Sequence, residues 1–116
     1  VDIVLYIPER SWERFLAEGD TPNDGEWSGL THPHCLSGRP KNLQRGDHVY
    51  FASGGEVRYR APIFGTAEHN GRFYLLRQGG AEWVELDEPV RPFQGFRYRW
   101  WDLDDEVHYQ GDDQAT

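Results

Sequence analysis

Residues 43–64 read LQRGDHVYFASGGEVRYRAPIF, and that stretch describes a β-hairpin. Gly46-Asp47 is a turn pair, because Gly takes positive φ without steric cost and Asp hydrogen-bonds the backbone beside it. His48 to Phe51 is rich in strand formers, with Val49 and Phe51 on one face and His48 and Tyr50 on the other. Ser53-Gly54-Gly55 supplies the next turn. The alternation of Glu56 to Ala61 then predicts Val57, Tyr59 and Ala61 on the inner face and Arg58 and Arg60 outside, until Pro62 removes a ladder donor.

Upstream, Val1 to Ile7 is apolar on both faces apart from Asp2, the pattern of a central strand covered on both sides. Pro8 and Glu9 suit the first turn of a helix, and Trp12, Phe15 and Leu16 follow at helical spacing until Gly19. Asp20 to Asn42 shows no sustained periodicity and reads as a long ordered loop. Loops of that length inside compact domains usually work, and this one gathers Trp27, His32, His34, Cys35, Arg39 and Lys41, so a functional site is expected there.

Downstream, Ile63 to Glu68 continues as strand, and His69-Asn70-Gly71 carries an Asn-Gly turn signal. Arg72 to Arg77, Ala81 to Leu86 and Phe93 to Trp101 are further strands. From Asp102 the chain turns acidic and loses its pattern, which predicts a solvated tail. The expectation is a mainly β fold with one or two short helices, closed as a small, mainly antiparallel barrel over residues 1–101, with 102–116 as an acidic C-terminal tail.

A chain of 116 residues buries a core without disulfides, and its single cysteine, Cys35, fits a reducing, cytoplasmic setting. The longest apolar run, Ile3 to Ile7, is too short to span a bilayer. The net charge of −8 argues against polyanionic partners, but its distribution matters more. Residues 39–101 hold ten basic against seven acidic groups, whereas both flanks are acidic.

Arg58 with Arg60, and Arg97 with Arg99, are pairs two apart, so each pair is expected to project from one strand face. If the two strands are neighbours, the four guanidiniums form a stripe able to track phosphates; a solvated outer face paired with Glu is the simpler reading. Trp27, Trp101, Tyr50 and Tyr59 offer rings that could stack a base, and Trp27 stands out because its loop is otherwise polar. Trp12, Trp83 and Trp100 are expected in the core. His32, His34 and Cys35 are metal-ligand types, but Pro33 interrupts the strand geometry that would aim the imidazoles together and no second pair follows, so a turn is expected and no metal. No Walker loop, dinucleotide fingerprint or nucleophile elbow occurs, so neither cofactor nor catalytic constellation is expected.

The order strand, short helix, long loop, then Arg45-Gly46-Asp47-His48-Val49-Tyr50-Phe51, the Ser53-Gly54-Gly55 turn and the return from Val57 to Ile63 resembles the PUA-like superfamily, which includes the EVE and ASCH domains. Phe93 to Trp101 is similar to the closing strand of EVE-like members. The resemblance implies a PUA-like pseudobarrel that binds RNA, or DNA, through a base or modified base held in a cleft between the helix side and the hairpin. Carried over by position, that cleft involves Trp27, Arg39, Lys41 and Ser53 with its neighbouring glycines. The function expected is a non-enzymatic nucleic-acid-binding module. An ASCH-like RNA-cleaving enzyme using Lys41 or His34, and a barrel that binds proteins rather than nucleic acid, stand as alternatives.

Overall fold

The computed structural model describes the backbone of residues 1–17, 31–78 and 81–108, and their side chains except those of 14–17, 31–33 and 78. Its elements are β1 (Ile3–Tyr6), α1 (Glu9–Ala17), β2 (Thr31–Leu36), β3 (His48–Ser53), β4 (Glu56–His69), β5 (Arg72–Gln78), β6 (Glu82–Leu86), β7 (Phe96–Tyr98) and β8 (Glu106–His108), with one 3-10 turn over Leu103–Asp105. The sheet runs β2-β5-β4-β3-β1-β7, and β6 joins β4 while β8 joins β6. The result is a mostly β, curled, barrel-like sheet with a single α-helix among the described residues. No helix among them is long and apolar enough to cross a membrane.

The hairpin at 48–61 is the middle of this sheet, as its sequence predicts. β3 pairs antiparallel with β4 on one side and parallel with β1 on the other, Ile3 opposite Val49 and Leu5 opposite Phe51. β1 is buried on both faces, which is why Ile3, Val4 and Leu5 are all apolar. Ile3, Leu5, Val49, Phe51, Tyr59 and Ala61 pack into one core with Ile63 and Leu75, while Val4, Tyr50, Ala52, Val57, Val84 and Trp101 form a second on the opposite face. Trp12 seats α1 on the first core by stacking on Tyr59, ring centroids 5.6 Å apart and 9° from parallel.

A β-bulge corrects the expected phase of β4. Phe51 pairs with Tyr59 but the next residue, Ala52, pairs with Val57, so Arg58 is an extra residue in the ladder. Val57 therefore turns to the second core while Tyr59 and Ala61 stay with the first. For the same reason Arg58 and Arg60 do not share a face. Arg58 lies over the Trp12 ring, on the helix side, whereas Arg60 pairs with Glu82 and Glu106 behind the second core.

A second irregularity near Ile63 bends β4, so that its distal half pairs with β5 instead of β3. The Asn-Gly turn closes that hairpin as predicted, with Asn70 at φ 52° and Gly71 at φ 76°, the double left-handed conformation of a two-residue loop.

Three other expectations change. The long loop contains β2, whose residues 31–36 pair antiparallel with β5. Pro33 is tolerated because β2 is an edge strand, where a missing N–H faces no ladder partner. The strand expected over Phe93–Trp101 shrinks to β7, and the alternation ends with it, so Trp101 is 6% exposed and Trp100 is 41% exposed, the reverse of the reading above. Finally, the fold does not stop at Trp101. The segment 102–108 turns back and adds β8 to β6, Val84 opposite His108 and Leu86 opposite Glu106.

That return is held by a carboxylate with no exposed side-chain surface. Glu106 Oε2 accepts a hydrogen bond from Trp101 Nε1 at 2.6 Å, and Oε1 lies 2.9 Å from His108 Nε2 and 3.6 Å from Arg60 Nη1. The Tyr50 hydroxyl is buried beside this group without closing an aligned hydrogen bond. Burial, and then the Glu106 carboxylate, push its pKa above the usual phenol value. On the other side of β1, the Asp2 carboxylate accepts from the His48 backbone N–H at 2.8 Å and from Arg99 Nε at 3.1 Å, tying β1 to both of its neighbours.

Candidate functional site

β1 and β3 run parallel and end together, and α1 begins where β1 stops. A cleft of about 730 Å³ opens there, bounded by Pro8 and Glu9, by the Gly54-Gly55 turn, and by Pro92 and Phe93, with Tyr6 at its back. Its volume and its mostly apolar walls match a site for a small planar group. The Gly55 N–H donates to the Tyr6 hydroxyl at 2.8 Å, and the Tyr6 and Phe93 rings meet edge to face, centroids 5.8 Å apart. These contacts fix the aromatic wall. Val90 N–H donates to the Gly55 carbonyl at 2.8 Å, which holds the 90–94 segment against the hairpin turn.

The glycines are required by geometry. Gly54 and Gly55 have φ of 62° and 85°, and a Cβ on Gly54 would lie 2.8 Å from Arg58 Nη2 and 3.3 Å from Glu9 Oε1. A smaller recess of about 270 Å³ continues past Gly54, lined by Trp12, Glu9, Glu13, Ser53 and Arg58. Ser53 is 1% exposed, and its hydroxyl has no hydrogen-bond partner among the described residues. Arg58 is held at the rim by Nε donation to the Ser53 carbonyl at 2.9 Å and by its position 5.6 Å over the Trp12 ring. The Arg97 guanidinium lies 5.0 Å over the ring of Phe93, a residue of the cleft wall.

The residues singled out from the sequence therefore divide. Ser53 and Arg58 line the recess beside the cleft, and Arg97 contacts the cleft through the Phe93 ring. Arg60 and Arg99 do neither. Arg60 is paired with Glu82 and Glu106, and Arg99 with Asp2 and the Trp101 carbonyl, so both brace the fold. The four-guanidinium stripe does not form, because β3 and β1 separate β4 from β7. Arg39 pairs with Glu68 and lies over Phe73, at the β4–β5 hairpin. Lys41 is exposed beside β7, its backbone N–H donating to the Tyr98 hydroxyl at 2.8 Å. Neither lines the cleft. Tyr50 and Tyr59 are buried and cannot stack a ligand, nor can Trp101. Trp27 lies outside the described residues.

His34 and Cys35 border a third recess with Tyr6, Ile7 and Gly95. His34 Nε2 accepts from Arg77 Nε at 3.2 Å, and Arg77 is fully buried over the Phe51 ring. That arrangement serves the interior. Among the described residues no group of three or more His, Cys, Asp and Glu side chains is placed to hold a metal ion.

Tyr6, Glu9 and Phe93 were not expected at a site. Tyr6 reads as part of an all-apolar strand and Glu9 as a helix-start residue, and only the pairing of β1 with β3 places both beside Gly54. Compared with protein families, with curated proteins and with solved structures, the chain matches none of them.

Proposed function

We propose that this chain is a PUA-like nucleic-acid-binding module that holds one unpaired base in the cleft between the first turn of α1 and the Gly54-Gly55 turn. The observation that carries the reading is the convergence, at the paired ends of β1 and β3, of two aromatic rings and an open glycine turn, with Arg58 in the adjoining recess and Arg97 over the Phe93 ring. Tyr6 and Phe93 supply apolar and π surface, and stacking on such surface is worth about 1–3 kcal/mol per base. Arg58 beside the recess and Arg97 over Phe93 supply forked donors for the phosphates that flank a bound base. The module carries out no chemistry. With a net charge of −8, affinity rests on the pocket more than on counterion release.

The test is titration of short RNA and DNA oligonucleotides followed by intrinsic fluorescence across a salt series. Trp12 lines the adjoining recess and reports occupancy. Saturable quenching that persists at high salt and is lost in Phe93→Ala supports the reading. Absence of quenching at the lowest salt removes it.

A further inference from the structure

We infer that the junction of this cleft with its recess is a guanine-selective subsite, read by Glu9 and Arg58 across the bare backbone of Gly54; the inference rests on the base-binding reading above. A carboxylate oxygen and a guanidinium nitrogen lie 3.3 Å and 2.8 Å from the point a Gly54 Cβ would occupy. An acceptor and a donor thus converge over a residue with no side chain. The Glu9 carboxylate and the Arg58 Nη2 atom make no hydrogen bond among the described residues. Glu9 has no ion pair or hydrogen bond among the described residues, although it borders both the main cleft and its recess. Arg58 is anchored through Nε and its ring contact, and its ion pair to Glu56 is long, 3.9 Å from Nη2. The fork is positioned while Nη2 is left for a ligand.

Base edges differ in what they offer this pair. An ionised carboxylate only accepts hydrogen bonds, through two oxygens. Guanine alone presents two adjacent donors, N1–H and the exocyclic amino group, beside an acceptor, O6. Its Watson–Crick edge therefore fits a carboxylate on the two donors and a guanidinium on O6. Adenine and cytosine place a ring-nitrogen acceptor next to their amino group, and uracil flanks its one donor with two carbonyls. Each of these sets a lone pair against a Glu9 oxygen and forfeits the charge-assisted hydrogen bonds that guanine makes there, which ranks it below guanine. Because the Watson–Crick edge is read, the guanine is one free of a pairing partner, as in a single strand or loop.

The experiment is fluorescence titration of the protein with GMP, IMP, AMP and UMP, repeated on Glu9→Gln and Arg58→Lys. IMP differs from GMP only in lacking the exocyclic amino group. The expected order is GMP tightest, IMP about tenfold weaker for the loss of one charge-assisted hydrogen bond, and AMP and UMP weaker still. Glu9→Gln abolishes the GMP preference by weakening GMP and strengthening AMP, whose ring nitrogen now meets an amide donor, and Arg58→Lys weakens GMP because the fork is lost. Equal affinity for all four nucleotides, or a GMP preference that survives Glu9→Gln, overturns the guanine assignment while base binding stands. No binding of any nucleotide at millimolar concentration overturns both. Should either variant fail to fold, the comparison of GMP with IMP on the wild-type protein decides.

Discussion

Replacing Glu106 with alanine tests whether the acidic end of the chain is part of the fold. The Glu106 side chain is fully buried, receives the Trp101 indole N–H at 2.6 Å and sits between His108 and Arg60. Its removal leaves the buried Trp101 donor without an acceptor, a cost of about 1–3 kcal/mol. Arg60 retains Glu82, which keeps the expected total, the indole's share included, at the low end of the penalty for breaking a buried pair, about 3 kcal/mol. Urea unfolding followed by fluorescence reads that loss as a midpoint lowered by about 1–3 M. Trp101→Phe, which keeps a ring but removes the donor, and the double variant complete a cycle whose coupling isolates the hydrogen bond. Glu106→Ala, or deletion of residues 102–116, with stability within about 0.5 kcal/mol of wild type would refute the placement of β8.

Phe93→Ala removes half of the cleft's aromatic wall and is expected to weaken oligonucleotide binding by about tenfold or more without moving the thermal midpoint greatly, checked by paired titration and melting. Gly54→Ala combines strain at φ 62° with a clash at Arg58 Nη2; it should cost about 1–2 kcal/mol in urea unfolding and displace the guanidinium from the rim. Arg97→Gln should reduce the salt dependence of binding by about one counterion and leave stability unchanged. Arg99→Gln should do the opposite, destabilising through the lost Asp2 contact and leaving the salt slope alone. Burial, followed by the nearby Arg60 charge, lowers the His48 pKa below its ordinary 6.5, so the unfolded chain takes up that proton first. The His48 contribution is complete above pH 6.5 and is lost as pH falls from there, and His48→Asn should flatten that part of the stability profile.

The elements that could be read in advance are those governed by local chemistry. The Gly-turn at 54–55, the Asn-Gly turn at 70–71 and the doubly buried β1 follow from positive φ and from continuous apolar runs. The bulge at Arg58 was illegible because Val57, Tyr59 and Ala61 are all apolar and look in phase, although two cores on opposite faces accept them. β2 was hidden by Pro33, whose missing donor is harmless only at an edge that sequence cannot identify. The return of 102–108 was hidden by its charge, because Glu106 is buried solely through partners at 60, 101 and 108. At the cleft, Ser53 is named only through the PUA-like resemblance, and Arg58 through a shared strand face with Arg60 that the bulge removes. Tyr6 and Glu9 were not legible, since a parallel pairing across more than forty residues brings them there.

That parallel pairing also sets the order in which the molecule can assemble. β1 leaves the ribosome before either of its sheet neighbours, which begin at positions 48 and 96, so Ile3 meets Val49 on one edge and Tyr98 on the other. Closure of such long loops is an entropic cost that local hairpins do not bear, and folds dominated by distant contacts are slow. The β3–β4 and β4–β5 hairpins can form early, while Ile3, Val4 and Leu5 wait with both apolar faces unsatisfied. The strand made first is seated last, and until β7 arrives the nascent chain carries an unpaired, sticky edge that a chaperone or a second copy can reach.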